Sequence, residues 1–250
     1  MRAVILSAGR GSRMGSRTDD RPKALLELAG RSLLDRQVAA LRQAGVEDVA
    51  VVTGWQAEAF ADLPLRRFHN PDWASSTMVG SLACADDWLS SGPVLVSYGD
   101  IVFGPATARA LARHPGDLVV AYDPAWLTQW SARFGNPLAD AESFRLAPAG
   151  LVREIGGTPG SVAEIEGQYL GLLKFEPPGW QALLSALQTA IRLNTRQDTT
   201  GLLQDLITQG GLVHAVPTES PWHEFDHPTD IAAGTEVLKT LDRTLFVPPP

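Results

Sequence analysis

The chain has 250 residues, 44% of them hydrophobic, which is enough for one sizeable core in a single α/β domain. Its formal net charge of −7 excludes a protein that holds nucleic acid or anionic membranes through overall charge. With one cysteine, Cys84, and no apolar run long enough for a signal-peptide core or a membrane span, we expect a cytoplasmic protein without an internal disulfide.

The first predicted element is a buried parallel strand formed by Val4, Ile5 and Leu6. A loop rich in glycine and arginine follows this strand. Its glycines permit sharp turns and the close approach of a ligand, and its cations add positive charge. These residues are Gly9, Gly11, Gly15, Arg13, Arg21 and Lys23. Free N–H groups and cations at the carboxyl end of a strand are typical of a polyphosphate site.

Two common glycine motifs do not describe this loop. A P-loop requires Gly-Lys-Ser/Thr, whereas here Lys23 follows Pro22, eight residues after Gly15. A dinucleotide fingerprint requires G-x-G-x-x-G opening directly into a helix. The spacing here is G-x-G-x-x-x-G, and the polar segment SRTDDRP follows it. The loop is therefore a phosphate site of another kind.

The pattern up to residue 122 alternates between strands and helices. Strands are predicted at 48–53, 65–69, 93–97 and 117–122, and helices at 33–43, 76–89 and 105–113. This alternation favours an α/β fold with a Rossmann-like, mostly parallel sheet and flanking helices.

The alternation breaks at about residue 124. Residues 124–142 show no clean period, and short strand-like pieces follow at 144–146, 151–155 and 168–175. We predict that 124–176 is a small inserted β-subregion, a lid that covers the sheet and binds part of the substrate. Helices at 179–191, 200–208 and 228–241, a strand at 212–216 and an extended piece at 222–226 complete one domain over 1–245, with 246–250 as a tail.

Two aspartates are candidates for binding a metal ion. Asp100 follows the apolar strand 93–97, and Asp226 lies in the extended piece 222–226. Open α/β sheets bind ligands at the carboxyl ends of their strands, so both residues can share one rim. Two carboxylates together with nucleotide phosphates form a normal Mg²⁺ site. The sequence therefore predicts Mg²⁺ as a cofactor.

These stretches resemble a known family, the nucleotidyltransferases that activate sugars, phosphocholine and phosphonates. The signature L-x-A-G-x-G-x-R-[ML]…P-K is matched by Leu6, Ala8, Gly9, Gly11, Arg13, Met14, Pro22 and Lys23. The segments SYGDIVF and WHEFD resemble the two metal-associated motifs of that family. The middle of the chain is most similar to the phosphocholine and 2-aminoethylphosphonate cytidylyltransferases. The resemblance implies transfer from CTP to a small phosphate or phosphonate, with release of pyrophosphate.

Roles for single residues follow from this resemblance. Lys23 and Arg13 would be the catalytic cations, Mg²⁺ would bind Asp100 and Asp226, and Glu224 would be an additional metal group. The implied nucleotide-binding residues are Leu6, Ala8, Gly9, Gly11, Ser12 and Ser81. The candidate acceptor-binding residues are Trp130, Arg133, Tyr169 and Trp222, with Asp140, Glu142 or Glu166 nearby. Indole rings and carboxylates suit a cationic head group, although the aromatic residues could equally pack under the insert.

Other functions stay open at this point. A sugar-1-phosphate nucleotidyltransferase using UTP, GTP or dTTP and a non-catalytic nucleotide sensor are both compatible with the same fold. The segment from His223 to His227 matches the zinc motif H-E-x-x-H, but Pro221 and Pro228 bracket it and argue against the helix that zinc chemistry needs. The expected partners are a nucleotide and a small acceptor, without nucleic acid or membrane; a homodimer is compatible with the sequence.

Overall fold

The computed structural model describes residues 1–195 and 197–246. The strands are β1 (Arg2–Ser7), β2 (Glu27–Leu28), β3 (Arg31–Ser32), β4 (Asp48–Thr53), β5 (Arg66–His69), β6 (Val94–Tyr98), β7 (Ile101–Phe103), β8 (Leu118–Asp123), β9 (Phe144–Ala147), β10 (Leu151–Ile155), β11 (Gln168–Phe175), β12 (His214–Pro217) and β13 (Trp222–Glu224). The α-helices are α1 (Leu33–Gln43), α2 (Met78–Leu82), α3 (Asp86–Leu89), α4 (Pro105–Arg113), α5 (Trp126–Arg133), α6 (Pro177–Arg192), α7 (Thr199–Thr208), α8 (Asp230–Ala233) and α9 (Thr235–Leu245).

A nine-stranded sheet in the order β5-β4-β1-β6-β11-β8-β12-β10-β9 forms the centre of the molecule. The pairs β5–β4, β4–β1, β1–β6 and β12–β8 are parallel, and β11 runs antiparallel to both β6 and β8. The predicted α/β fold with a mainly parallel sheet is confirmed. The register pairs Leu6 with Tyr98, so the segments that follow β1 and β6 leave the sheet at the same edge.

Helices cover both faces of this sheet. Helices α1, α4 and α9 lie on one face, where Leu33, Leu41 and Leu111 are fully buried. Helices α2, α6 and α7 lie on the other, where Trp180 and Leu203 are fully buried. Within residues 1–195 and 197–246, no helix has the length and apolar character needed to cross a membrane.

The segment 124–176, predicted as an inserted β-subregion or lid that covers the sheet, contributes strands to the sheet itself. Its strands join the main sheet: β9 and β10 extend one edge, and β11 lies near the centre between β6 and β8. The physical reason is that β11, with the sequence QYLGLLKF, is apolar enough to be buried along nearly its whole length. Residues 126–133, which showed no clean period, form helix α5. A role of this segment in binding an acceptor stays a prediction.

Two helices predicted as continuous are divided. Residues 76–89 form α2, a 3-10 turn and α3, and the helix predicted over 228–241 is split into α8 and α9 at Gly234. A Cβ atom on Gly234 would lie 2.5 Å from the ring of His223, so this close approach requires glycine.

Candidate active site

The glycine-rich loop leaves β1 and folds as a 3-10 turn over Ser12–Thr18. Gly11 has φ +68°, and the hydroxyl of the buried Thr18 donates a hydrogen bond to the carbonyl oxygen of Gly11 over 3.0 Å. A Cβ atom on Gly11 would lie 2.8 Å from Cε of Lys23. Glycine is therefore required here both for the backbone conformation and for the space that the lysine side chain fills.

The two predicted metal-binding aspartates lie together, although 126 positions separate them in the chain. The antiparallel pair β7–β13 joins them, with Glu224 opposite Ile101. The N–H group of Phe225 then donates to the carbonyl oxygen of Asp100 over 2.9 Å. This pairing carries Asp226 to the edge where Asp100 follows β6.

Lys23 lies between these aspartates. Its Nζ atom is 3.0 Å from Oδ2 of Asp100 and 2.6 Å from Oδ1 of Asp226, and its side chain is only 10% exposed. Burial alone would lower the pKa of Lys23, but the charges of Asp100 and Asp226 outweigh it and raise that pKa. Lys23 is therefore a fixed positive charge throughout the physiological pH range.

Arg13 supplies a second cation to the same cluster. Its Nη1 atom is 2.6 Å from Oδ2 of Asp226, so the carboxylate of Asp226 is held between an arginine and a lysine. The Arg13 side chain is 64% exposed, whereas that of Asp226 is 5% exposed. Arg13 can therefore turn toward a ligand without leaving a buried cavity behind.

Glu224 and Arg133 form a buried pair next to this cluster. Nη1 of Arg133 is 2.8 Å from Oε2 of Glu224, and Nε of Arg133 is 3.0 Å from Oδ1 of Asp230. Burial, together with the nearby charges of Asp100 and Asp226, raises the pKa of Glu224 to about 7 despite the opposing effect of Arg133.

The assignment of Arg133 to the acceptor site is not supported by this geometry. Its side chain is 1% exposed and holds two carboxylates, so it has no free face to offer a substrate. The physical reason is that a buried guanidinium must be paired, and Glu224 and Asp230 provide that pairing.

The carboxylates present fit a hard divalent cation. Oδ1 of Asp100 is buried and has no hydrogen-bond partner among the described residues, and Asp100 and Asp226 offer the oxygen donors that Mg²⁺ prefers. Within the described part of the chain, no group of three His, Cys, Asp or Glu side chains is arranged to hold a metal alone. The predicted third ligand, Glu224, is instead paired with Arg133, so nucleotide phosphates would have to complete the coordination.

A first cavity of about 190 Å³ lies against the loop and contacts Arg13, Lys23 and Asp100. It is also lined by five of the six residues predicted to bind nucleotide, namely Leu6, Ala8, Gly9, Gly11 and Ser81. Ser12, the sixth, is exposed at the start of the 3-10 turn and does not line this cavity. The assignment of these residues to nucleotide binding stays a prediction.

Asn70 is a buried residue of this region that the sequence did not single out. Its Nδ2 atom donates to Oγ of Ser81 over 2.9 Å and to Oγ of Ser76 over 2.7 Å. Asn70 thereby fixes Ser81 at the cavity wall. In the sequence, Asn70 lies after a weak strand and before Pro71, a pattern common in turns.

A second cavity of about 310 Å³ adjoins the first and shares Arg13 and Met78 with it. Three of the predicted acceptor residues, Trp130, Tyr169 and Trp222, line it. The rings of Trp130 and Trp222 are 6.1 Å apart, and Nε1 of Trp222 donates to Asp123 over 2.9 Å. Among the described residues, Nε1 of Trp130 and the hydroxyl of Tyr169 are buried without a hydrogen-bond partner.

Acidic side chains also line this second cavity. Asp140, Glu142 and Asp198 line it, with Thr199 and Thr200 at the start of α7. Burial and the neighbouring charges of Asp198 and Asp140 raise the pKa of Glu142 to about 7.

Glu166 does not line the cavity, since its carboxylate accepts the N–H group of Leu146. Asp198 was missed because D-T-T at a helix start indicates only an N-cap.

The H-E-x-x-H segment does not form a zinc site. His223 lies in β13, and its Nε2 atom is 3.0 Å from the carbonyl oxygen of Asp230. Burial and the charge of Arg133 lower the pKa of His223 to about 4. A strand places His223 and His227 on no common helical face, so the motif is a coincidence of sequence.

Known proteins are similar to this chain in fold and in sequence. The fold is similar to a solved structure of the inositol-1-phosphate CTP transferase from T. maritima, with a TM-score of 0.78 over 98% of both chains at 17% identity. A CTP:phosphoglutamine cytidylyltransferase of Campylobacter jejuni is 30% identical over 253 residues, covering 94% of this chain and all of that protein. A 2-aminoethylphosphonate cytidylyltransferase of Lancefieldella rimae is 30% identical over 138 residues, 48% of this chain and 56% of that protein.

The family is shown by a match that covers most of the chain. The model of the MobA-like NTP transferase domain matches residues 3–169, which include the glycine-rich loop and Asp100. The resemblance found in the sequence is confirmed. The chain therefore belongs to the family of MobA-like NTP transferase domains and is a nucleotidyltransferase.

Proposed function

We propose that this nucleotidyltransferase transfers the cytidylyl group of CTP to a small, amine-bearing phosphate or phosphonate and releases pyrophosphate. One observation carries the proposal: the two cavities meet at the cluster of Lys23, Arg13 and Asp226. A nucleotide in the first cavity and an acceptor in the second would have their phosphorus groups on opposite sides of these charges.

The reaction then needs charge neutralisation and alignment more than proton transfer. An oxygen of the acceptor forms a bond to the α-phosphorus of CTP, and the bond from that phosphorus to the bridging oxygen of pyrophosphate breaks. A phosphate or phosphonate is largely dianionic near neutral pH, so no general base is required. This agrees with a site that offers Lys23, Arg13 and two aspartates.

Each residue of the cluster has a role in this proposal. Lys23 stabilises the negative charge that develops on the α-phosphate, and Arg13 together with backbone N–H groups of the loop holds the departing β- and γ-phosphates. Asp100 and Asp226 would hold Mg²⁺, which supplies Lewis-acid charge at the α-phosphate when bound. The buried, unpartnered Oδ1 of Asp100 supports this assignment.

The preference for CTP is supported by the relatives. The proteins from C. jejuni and L. rimae are both named as cytidylyltransferases. The C. jejuni protein matches over its own whole length and over 94% of this chain. Phosphoglutamine and 2-aminoethylphosphonate, the compounds in their names, each contain an amino group and a phosphorus group.

The preference for an amine-bearing acceptor is supported by the second cavity. Trp130, Trp222 and Glu142 all line it, and Gln168 exchanges hydrogen bonds with the Glu142 backbone. An ammonium group would gain from both kinds of side chain, because indole faces attract cations by about 0.5–2 kcal/mol and carboxylates do so directly.

The test is pyrophosphate release with Mg²⁺ and each of CTP, UTP, GTP and ATP, against phosphocholine, 2-aminoethylphosphonate, phosphoglutamine and glucose 1-phosphate. We expect release with CTP and with one amine-bearing acceptor. Release with UTP and glucose 1-phosphate would instead assign the chain to sugar-nucleotide synthesis. Nucleotide binding without release for any acceptor would favour a sensor.

A further inference from the structure

We propose that Asp230 is the positioning residue that sets the orientation of the metal-binding carboxylate of Asp226. Asp230 is fully buried. Its Oδ2 atom accepts the N–H group of Asp226 over 2.8 Å and that of His227 over 2.7 Å. Asp230 thus binds the main chain that carries Asp226. Asp230 itself lines neither cavity.

The local chain needs such an anchor. Strand β13 ends at Glu224, so the backbone of Asp226 lies beyond the sheet pairing that fixes residues 222–224. Pro228 has no N–H group to donate. The carboxylate at the start of α8 reaches back over four residues and takes the N–H groups that the sheet no longer satisfies.

Arg133 fixes Asp230 in turn. Its Nε atom donates to Oδ1 of Asp230 over 3.0 Å and its Nη2 atom to Oδ2 over 3.3 Å. The remaining nitrogen, Nη1, lies 2.8 Å from Glu224, so one guanidinium joins the end of β13 to the start of α8. A bidentate pair of this kind fixes orientation as well as distance.

The same network reaches the wall of the second cavity. Arg133 ends helix α5, and Trp130, on the preceding turn of that helix, lines the cavity. Asp226 lines the same cavity. Asp230 and Arg133 therefore hold the acceptor wall and the metal carboxylate in one rigid unit. This inference rests on the proposed role of Asp226 as a metal ligand.

The experiment compares Mn²⁺ binding, measured by electron paramagnetic resonance in the presence of CTP, for Asp230→Asn, Asp226→Asn and Asp242→Asn. The last is a matched control, because Asp242 forms a bidentate pair with the buried Arg36 over 2.7 and 2.6 Å but lies in α9 outside both cavities. Asp230→Asn keeps the side-chain volume and one oxygen acceptor, so it is the mildest change that breaks the charged pair.

We expect Asp230→Asn to weaken Mn²⁺ binding by at least about 10-fold, as loss of a residue that orients a metal ligand does. Raised Mg²⁺ should restore part of kcat in this variant. Asp242→Asn should lose a similar amount of thermal stability with unchanged Mn²⁺ affinity. The proposal would be overturned if Asp230→Asn bound Mn²⁺ as tightly as the wild type. It would also be overturned if Asp230→Asn and Asp242→Asn lost Mn²⁺ affinity equally. Unchanged binding in Asp226→Asn would instead refute the metal role of Asp226.

Should Asp230→Asn not fold, Arg133→Lys is the second variant, since a lysine keeps the charge but cannot hold Asp230 in a bidentate pair. The proposal then expects weaker Mn²⁺ binding than in Asp242→Asn. An affinity equal to that control would overturn it.

Discussion

Nζ of Lys23 lies 2.6 Å from Oδ1 of Asp226, closer than to the second aspartate of the cluster, Asp100, at 3.0 Å. The ammonium thus occupies one oxygen of each of the two carboxylates that a divalent cation would use, and Oδ1 of Asp100 has no hydrogen-bond partner among the described residues. A bound metal and Lys23 must share or divide these carboxylates, and a nucleotide phosphate offers Lys23 an alternative partner. We therefore expect Lys23 to connect the state of the proposed metal site to the presence of nucleotide.

The first prediction concerns replacement of this lysine by an apolar residue. Lys23→Met should lower kcat by at least about 10²-fold, because a charge that stabilises the transition state is lost. The same variant should bind Mn²⁺ more tightly in the absence of nucleotide, because the ammonium of Lys23 no longer pairs with Asp100 and Asp226. Steady-state kinetics and Mn²⁺ titration measure the two effects.

A matched control for this variant is Lys174→Met. Lys174 is also buried and also paired, with Glu176 at 2.8 Å, but it lines neither cavity. The Lys174→Met variant should be less stable than the wild type but bind Mn²⁺ with unchanged affinity. Normal turnover in Lys23→Met would remove Lys23 from the catalytic residues.

The second prediction concerns the space beside Gly11. Gly11→Ala should keep the fold but reduce kcat, because its Cβ atom would displace Cε of Lys23 from a distance of 2.8 Å. Gly45→Ala is the control: Gly45 also has a positive φ, +94°, but no atom of the described residues lies within 4 Å of an added Cβ. Both variants should lose about 1–2 kcal/mol of stability through backbone strain. Equal activities of the two variants would contradict this account of Lys23.

The third prediction concerns the pH dependence of stability through Glu142. Its pKa is about 7 in the folded protein, above the ordinary value of 4.5. Between these values the unfolded chain loses the proton that the folded protein retains, so stability falls as pH rises from about 4.5 to about 7. Glu142→Gln should therefore be more stable than the wild type at pH 8, by up to about 3 kcal/mol, and equally stable near pH 4. Urea denaturation at both pH values measures this.

The fourth prediction concerns the same residue in function. If Glu142 binds the ammonium group of the acceptor, Glu142→Gln should raise the acceptor KM at least about 10-fold and leave the CTP KM unchanged. For the wild type, the acceptor KM should rise as pH falls below about 7 and Glu142 is protonated. Glu166→Gln, a nearby change outside the cavity, should behave like the wild type. An unaltered acceptor KM in Glu142→Gln would exclude this contact.

The fifth prediction distinguishes packing from substrate binding at Arg133. Arg133→Ala should lower the free energy of unfolding by about 3–5 kcal/mol, because Asp230 and Glu224 would be left buried without their cation. Arg153→Ala, at an exposed site, should change it by less than about 0.5 kcal/mol. A fully stable Arg133→Ala with a raised acceptor KM would restore Arg133 to the acceptor site.

Much of the fold followed from local patterns in the sequence. The apolar run before Gly9 and the alternation up to residue 122 depend only on periodicity and turn residues, which local physics determines. The proximity of Asp100 and Asp226 was predicted, but from the argument that the carboxyl ends of strands in one sheet share an edge, whereas Asp226 follows β13 of the separate pair β7–β13. The antiparallel pairing of β7 with β13 that completes this proximity was not predicted, since short strands far apart in sequence carry no mark of their partner.

The supporting residues were the hardest to predict. Asp230 and Asn70 are buried, yet in the sequence each looks like an ordinary polar residue near a proline. Arg133 was predicted to bind the acceptor, but its burial depends on α8, nearly a hundred residues away. The central position of β11 was missed because its pairing with β6 and β8 is long-range. The local sequence therefore indicated which residues carry charge at the site, but it did not indicate which residues far along the chain pack against them.

The central claim is that the cluster of Lys23, Arg13 and the two aspartates joins CTP to an amine-bearing acceptor. The most direct measurement is pyrophosphate release from CTP with 2-aminoethylphosphonate or phosphocholine, each compared with a matched acceptor without nitrogen, ethylphosphonate or ethyl phosphate. The account predicts release equal to the amount of cytidylyl product detected by mass spectrometry, with kcat/KM at least about 10-fold higher for an amine-bearing acceptor. Equal rates with the nitrogen-free acceptors, or no release with CTP while another nucleotide is consumed, would contradict it.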